Sequence, residues 1–191
     1  VPPPSQHAED DGGDSRAEFA MLLFLGLILF NLFAECVNQA PTVMLRHANY
    51  VTKIVFPLEI LVPIALGAAL FHAAVGLGVW LLAYLLFFGW PHPSMALLPL
   101  TVLPLLLLTL GLSWLLASLG VFLRDVAQVV VILTMVLLFL SPIFYPVSAI
   151  PEVYRALLLL NPLAPSIEQT RAVLYWGHAP EWPLYALNLS V

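Results

Sequence analysis

Apolar residues run almost without a break through 19-FAMLLFLGLILFNLFAECVN-38, and the stretch closes on a polar end. A helix of about 20 such residues crosses a hydrocarbon core of about 30 Å, so residues 19–38 predict a first membrane span. The pattern then changes. In 39–56, Met44, Leu45, Val51 and Ile54 can share a helix face, with Arg46, His47, Asn49 and Lys53 around them. That arrangement predicts a short amphipathic helix at about 41–53, lying on a membrane surface. From Pro57 to Phe88 the chain is apolar apart from Glu59 and His72. As a helix this segment is roughly 48 Å long, more than one bilayer core, so it starts outside the bilayer or bends at Pro63. The turn 89-GWPHPS-94 leads to a third span over about 95–123, softened by Pro99 and Pro104. Arg124-Asp125 marks a turn, and a fourth span covers about 126–145.

Beyond that the pattern breaks up. Residues 141–182 hold six prolines, several aromatics and scattered charges around apolar patches such as 156-ALLLL-160. The segment is too long for a turn and too broken for a span. It predicts two short helices dipping at an interface, at about 150–160 and 165–176. Residues 183–191 begin a fifth span that stops early. Residues 1–18 read as an acidic, proline-bearing loop outside the membrane. The chain opens VPPPSQHAEDDGGDS, without an initiator Met, which leads us to expect a fragment with something lost upstream. The predicted fold is therefore all-α: a polytopic membrane helix bundle over 19–191.

Composition sharpens this picture. The 191 residues are 62% hydrophobic and 9% charged, where soluble domains carry about 25% charged residues. The net charge of −5 sits mainly in 9-EDDGGD-14, and six Lys and Arg provide no basic patch for nucleic acid. The single cysteine, Cys36, excludes an intramolecular disulfide. The short-loop cations set the orientation. Arg46, Lys53 and Arg124 place 39–56 and the 123–126 turn in the cytoplasm; the opening segment, the 89–94 turn and 141–182 then face outside. Lys53 can snorkel towards headgroups. Pro57 falls in the first turn of the second span, where its missing N–H is harmless. Glu59 suits the positive end of that helix. Glu59 lies six positions after Lys53, so they form no i,i+4 pair.

One further pattern joins these segments. Asn49-Tyr50-Val51 with Lys53, then 56-FPLEIL-61, Arg124-Asp125, 141-SPIFYP-146, and 161-NPL-163 followed by Arg171 together resemble the ABC-2 type permease subunit of bacterial polysaccharide exporters. The FPLEI and SPIFYP segments are the most specific parts, and the resemblance covers nearly all of 18–191. It implies a homodimer in the bacterial inner membrane that moves a lipid-linked glycan, with a separate cytosolic ATPase docked on each copy. It makes 41–53 a coupling helix whose Arg46, His47, Asn49, Tyr50 and Lys53 meet that ATPase. Pro57 and Glu59 then open the next span, Arg124 and Asp125 form a cytoplasmic turn, and the 146–176 region supplies external gate helices. In that setting Ser141, Pro142, Pro146, Asn161 and Arg171 belong to the path or gate. Phe30, Phe33, Phe144 and Tyr145 become candidate path-lining rings, because sugar C–H faces pack on aromatic rings and a sliding polymer favours shallow contacts.

Catalytic chemistry is missing from the sequence. No G-x-x-x-x-G-K-[ST] occurs, so ATP must act through a partner. The histidines His7, His47, His72, His92 and His178 lack metal-ligand spacing, and no cofactor is expected. His72 has no acid at i±3 or i±4 and reads as a packing residue. Glu35 and Asn38 share a face at the end of the first span; both path lining and an interface position are open. No His or Asp constellation makes Ser141 a nucleophile. Glu168 and Arg171 read as a surface pair. Trp80, Tyr84 and Trp90 read as an interfacial aromatic belt. Alternatives are an ABC-2 permease for drugs or small lipids, an intramembrane enzyme acting on lipid-linked sugars, and a structural scaffold. The enzyme lacks paired carboxylates or a phosphate clamp in the loops, and a scaffold needs no coupling helix.

Overall fold

The computed structural model describes residues 6–46, 60–90, 93–123, 125–143, 161 and 163–174. Five α-helices and one 3-10 turn make up these residues, with no strand among them. The helices are α1 (Gln6–Arg46), α2 (Leu61–Phe87), α3 (Leu98–Phe122, led in by the 3-10 turn Pro93–Leu97), α4 (Val126–Leu140) and α5 (Leu163–Leu174). Three stretches are long and apolar enough to cross a membrane: Arg16–Met44, Leu61–Phe87 and Ser94–Phe122. The all-α membrane bundle expected from the sequence is the fold observed.

Helix α1 is the centre of the bundle. Leu29, Phe30, Phe33 and Val37 form one core with Val102, Leu105 and Leu116 of α3, Val130 of α4, and Leu163 and Ile167 of α5. Met21, Leu25 and Ile28 join Trp80 and Tyr84 of α2 and Leu174 of α5. At the opposite end Val43 meets Leu61, Val62 and Ala117. Helix α2 therefore runs antiparallel to α1, and α3 runs parallel to it. One end gathers Met21, Tyr84 and α5; the other gathers Val43 and the start of α2. The outer sides of α2 and α4 expose Phe71, Val79, Leu82, Leu86, Ile132, Val136 and Phe139. In water that apolar surface would drive association; in lipid it is the ordinary outer face of a spanning helix.

Several boundaries differ from the sequence expectation. The opening loop is helical from Gln6 onwards, and α1 continues through Pro41 to Arg46 instead of ending near 38. Proline removes one backbone donor, yet tight packing on α3 holds the turn. A Cβ at Gly120 would overlap the Pro41 backbone, so the absent side chain lets the two helices touch there. The remainder of the predicted coupling helix, with His47, Asn49, Tyr50 and Lys53, lies outside the described residues, as do Pro57 and Glu59. Helix α2 starts at Leu61 and holds Pro63 in its first turn, so that proline causes no bend. Helix α4 has 15 residues, about 22 Å and shorter than a bilayer core. It stops at Ser141, whose backbone turns extended while its N–H still reaches Leu137 O at 2.8 Å. The region expected at 150–160 and the final 183–191 segment lie outside the described residues.

Trp80 and Tyr84 are not a surface belt. They are 0% and 5% exposed, and their rings stack at 5.2 Å between centroids. The Trp80 indole N–H donates to Met21 O at 3.0 Å, which satisfies its polar atom inside the core. Trp90, at 92% exposed, does fit an interfacial position.

Candidate functional site

Polar side chains inside this apolar bundle collect in two places. The first is the seat of α5. Asn161 precedes the helix and caps it: its Oδ1 accepts from Leu163 N–H at 3.0 Å. Its Nδ2 donates to Ser141 Oγ at 2.9 Å. Both residues are buried, so the cap also ties the start of α5 to the end of α4. Ser94 Oγ donates to Val173 O at 2.8 Å, tying the other end to the 3-10 turn. Midway, Thr170 Oγ1 lies 3.4 Å from Thr101 Oγ1 of α3.

Arg171 is the hub of this seat. Its Nη1 donates to Pro142 O at 2.6 Å and its Nη2 to Ile143 O at 3.1 Å. Nε and Nη2 reach Leu22 O of α1 at 3.2 and 3.0 Å. The guanidinium fork thus gathers three carbonyls from two segments, as only a planar multi-donor group can. A Cβ at Gly26 would stand 2.9 Å from Nη2, so a glycine on α1 makes room for the fork. Helix α5 is not one of the membrane-length helices. Burial lowers the Arg171 pKa from its ordinary value, and Glu168 one turn earlier opposes this. The surface pair expected from the sequence is therefore corrected: Arg171 turns inward because the carbonyls at the α4 terminus lack helical donors. Gln169, 4% exposed, finds no partner for either end of its amide among the described residues.

The second place is the open side of α1. Glu35 faces α2, where His72 Nδ1 lies 2.9 and 3.0 Å from its two carboxylate oxygens. Asn38 faces α4, with Thr134 Oγ1 at 2.9 Å from its Oδ1. His72 therefore has an acid partner after all, on a neighbouring helix. A signal for it existed. Glu35 lies 11 residues before Arg46 at the end of α1, and His72 lies 11 residues after Leu61 at the start of α2. In an antiparallel pair those depths match.

The structure unites some predicted residues and separates others. Ser141, Pro142, Asn161 and Arg171 come together around α5. Phe30 and Phe33 are 5% and 1% exposed, inside the main core, and not on an open surface as a path-lining ring would be. The face of α1 that carries them meets α3 and α4. Arg46 is exposed in the last turn of α1. Asp125 precedes α4 and is exposed; its carbonyl accepts from Gln128 and Val129 N–H at 3.1 and 3.2 Å. Arg124, Phe144, Tyr145 and Pro146 lie outside the described residues. The described residues hold no cluster of metal-binding side chains.

Known proteins share this pattern. The family described as "ABC-2 type transporter" matches residues 6–175. The O-antigen export system permease protein RfbA of Myxococcus xanthus is 30% identical over 172 residues, covering 88% of this chain and 66% of that protein. A protein of the same name from Klebsiella pneumoniae is 25% identical over 162 residues, 83% of this chain and 62% of the relative. The polysialic acid transport protein KpsM of Escherichia coli is 26% identical over 164 residues, 85% of this chain and 64% of the relative. The chain thus spans somewhat less than two thirds of the length of these relatives. A family match over most of the sequence, joined to three membrane-length apolar helices around a common core, makes this chain a multi-pass membrane protein that belongs to the ABC-2 type transporter family.

Proposed function

We propose that this chain is the membrane subunit of an ATP-driven exporter that moves a lipid-linked polysaccharide, of O-antigen, capsule or teichoic-acid type, across the bacterial inner membrane. The observation that carries the proposal is the likeness, over more than four fifths of the chain, to permeases named for O-antigen and polysialic acid export. The subunit acts as a homodimer and does no covalent chemistry. ATP binding and hydrolysis belong to a separate cytosolic subunit, which pushes on Arg46 at the end of α1 and on His47, Asn49, Tyr50 and Lys53 after it. Pro57, Glu59, Arg124 and Asp125 shape the same cytoplasmic end. At the far end, Ser141, Pro142, Asn161 and Arg171 seat α5 as an external gate helix, with Phe144, Tyr145 and Pro146 in the adjoining segment.

Support for the gate reading comes from α5 itself. It is short, buried and held by polar contacts at both ends and at Arg171. Such contacts have discrete partners and can be exchanged, unlike a purely apolar seat.

The test is a pull-down of the full-length permease with the ATPase encoded beside it, and with variants Arg46→Ala, His47→Ala and Tyr50→Ala. Binding that the three changes abolish is the expected result. An ATPase that binds under no condition would refute the exporter reading. Loss of surface polysaccharide on deleting the gene, restored by the wild-type chain, tests the substrate class independently.

A further inference from the structure

Almost every side of α1 is buried in the bundle, except one. Within the membrane-length stretch Arg16–Met44, the open side is apolar at first, with Phe19, Ala20 and Phe24 exposed, and then carries Asn31, Glu35, Asn38, Gln39 and Thr42. Asn31, Glu35, Asn38 and Thr42 follow i, i+4, i+7, i+11 spacing, and Gln39 sits one turn after Glu35, so all five share one face. Asn31 and Gln39 are exposed; the other three are half-buried. The stripe is about 16 Å long and runs from the middle of the membrane-length stretch towards Arg46.

Two helices wall it. On one side stands α2, with His72 against Glu35. On the other stands α4, with Thr134 against Asn38. Their outer surfaces change character at once: Phe71, Val75, Leu82, Ile132, Val136 and Phe139 are exposed and apolar. Lipid therefore suits α2 and α4 but not the face between them. Thr42 Oγ1 donates to Gln39 O at 3.1 Å, but carboxamides left without partners in hydrocarbon are strongly disfavoured, and ionisable groups at this depth face a polar path or a partner.

The chemistry of the stripe selects the occupant. Amides and a hydroxyl supply both donors and acceptors, and the Glu35 carboxylate is already engaged by His72. Most of the wall is therefore neutral and meets a ligand through hydrogen bonds. A sugar chain offers hydroxyls that both donate and accept, and each helical turn repeats the contact about every 5.4 Å, of the order of one sugar ring and its linkage. We propose that this face of α1 is a wall of the export path, along which a hydroxyl-rich glycan slides by exchanging hydrogen bonds. The inference rests on the polysaccharide-export reading and places the cytoplasmic half of its path on Asn31, Glu35, Asn38, Gln39 and Thr42, not on the buried rings Phe30 and Phe33.

The test is cysteine accessibility in the full exporter in its own membrane. The native Cys36 is replaced first (Cys36→Ala, or Cys36→Ser if that variant exports better), and restored surface glycan in a deletion strain establishes the background. Asn31→Cys and Gln39→Cys are then probed with a small, charged, thiosulfonate-type reagent, with Phe71→Cys as the lipid-facing control. The expected result is labelling at 31 and 39 when glycan assembly is blocked and none at 71. With the polymer in transit, labelling falls about tenfold, as an almost fully occupied path requires. Asn31→Leu and Gln39→Leu slow export at unchanged permease level and ATPase binding. No labelling at 31 and 39 in either condition would mean that another helix covers the face, and would overturn the proposal. So would labelling that ignores the polymer. If the wild-type chain itself fails to restore glycan, the polysaccharide reading falls; if it restores glycan while 31 and 39 stay inert, only the wall falls.

Discussion

Replacing Arg171 by alanine removes the hub that holds α5. Four donor contacts to Leu22, Pro142 and Ile143 carbonyls vanish. A hydrogen bond to a charged group contributes about 1.5–3 kcal/mol net, and a buried carbonyl left without a donor costs about 1–3 kcal/mol. The desolvation of the guanidinium in the native fold opposes these gains, so simple addition overshoots. The three carbonyls left behind are neutral, and at about 1–3 kcal/mol each, less that desolvation, they set a cost of about 3–5 kcal/mol for the docking of α5. It corresponds to an increase of about 10²- to 10³-fold or more in local opening. Hydrogen–deuterium exchange of the full-length permease in lipid nanodiscs reads this directly, through peptides covering 163–174 with peptides from the middle of α3 as the internal reference. Arg171→Lys keeps the charge but loses the fork, so it recovers less than half of the protection. Exchange in 163–174 that is unchanged in Arg171→Ala would refute the hub, and with it the claim that polar contacts hold α5 in place.

Other outcomes follow from single contacts. Gly120→Ala forces a Cβ into the Pro41 backbone and should lower thermal stability by about 1–3 kcal/mol, whereas Gly78→Ala meets nothing within 4 Å and should be neutral or stabilising by up to about 1 kcal/mol. Asn161→Ala removes the cap of α5 and the Ser141 contact; a loss of about 1–2 kcal/mol is expected, seen as faster exchange confined to the first turn of α5. Gln169→Leu replaces a buried amide without partners among the described residues and should raise the melting temperature, while slowing export if α5 has to leave its seat. Trp80→Phe keeps most of the packing but leaves Met21 O without the indole donor, at about 1 kcal/mol in a thermal melt.

The sequence by itself determined the membrane character, the all-helical class and the approximate place of each long helix. These depend on local quantities, run length and charge content; that Pro63 and Pro99 fall in first turns and do not break their helices came from the structure. The segments 141-SPIFYP-146 and 161-NPL-163 stood out through a family resemblance, and the cap that Asn161 places on α5 was not read from them. Which side of a helix is inside was not legible. In a span that is apolar all round, hydrophobicity no longer marks the buried face, because lipid accepts the same side chains as the core does. Phe30 and Phe33 therefore looked available and proved buried, and Trp80 and Tyr84 looked interfacial and proved central. Only the tertiary structure decided that Glu35 finds His72, that Arg171 turns inward to three carbonyls, and that glycines at 26 and 120 make room for their neighbours. Those contacts join residues far apart in the chain, and their energies come from desolvated polar groups meeting at one depth, a property of helix register and packing that no local pattern encodes.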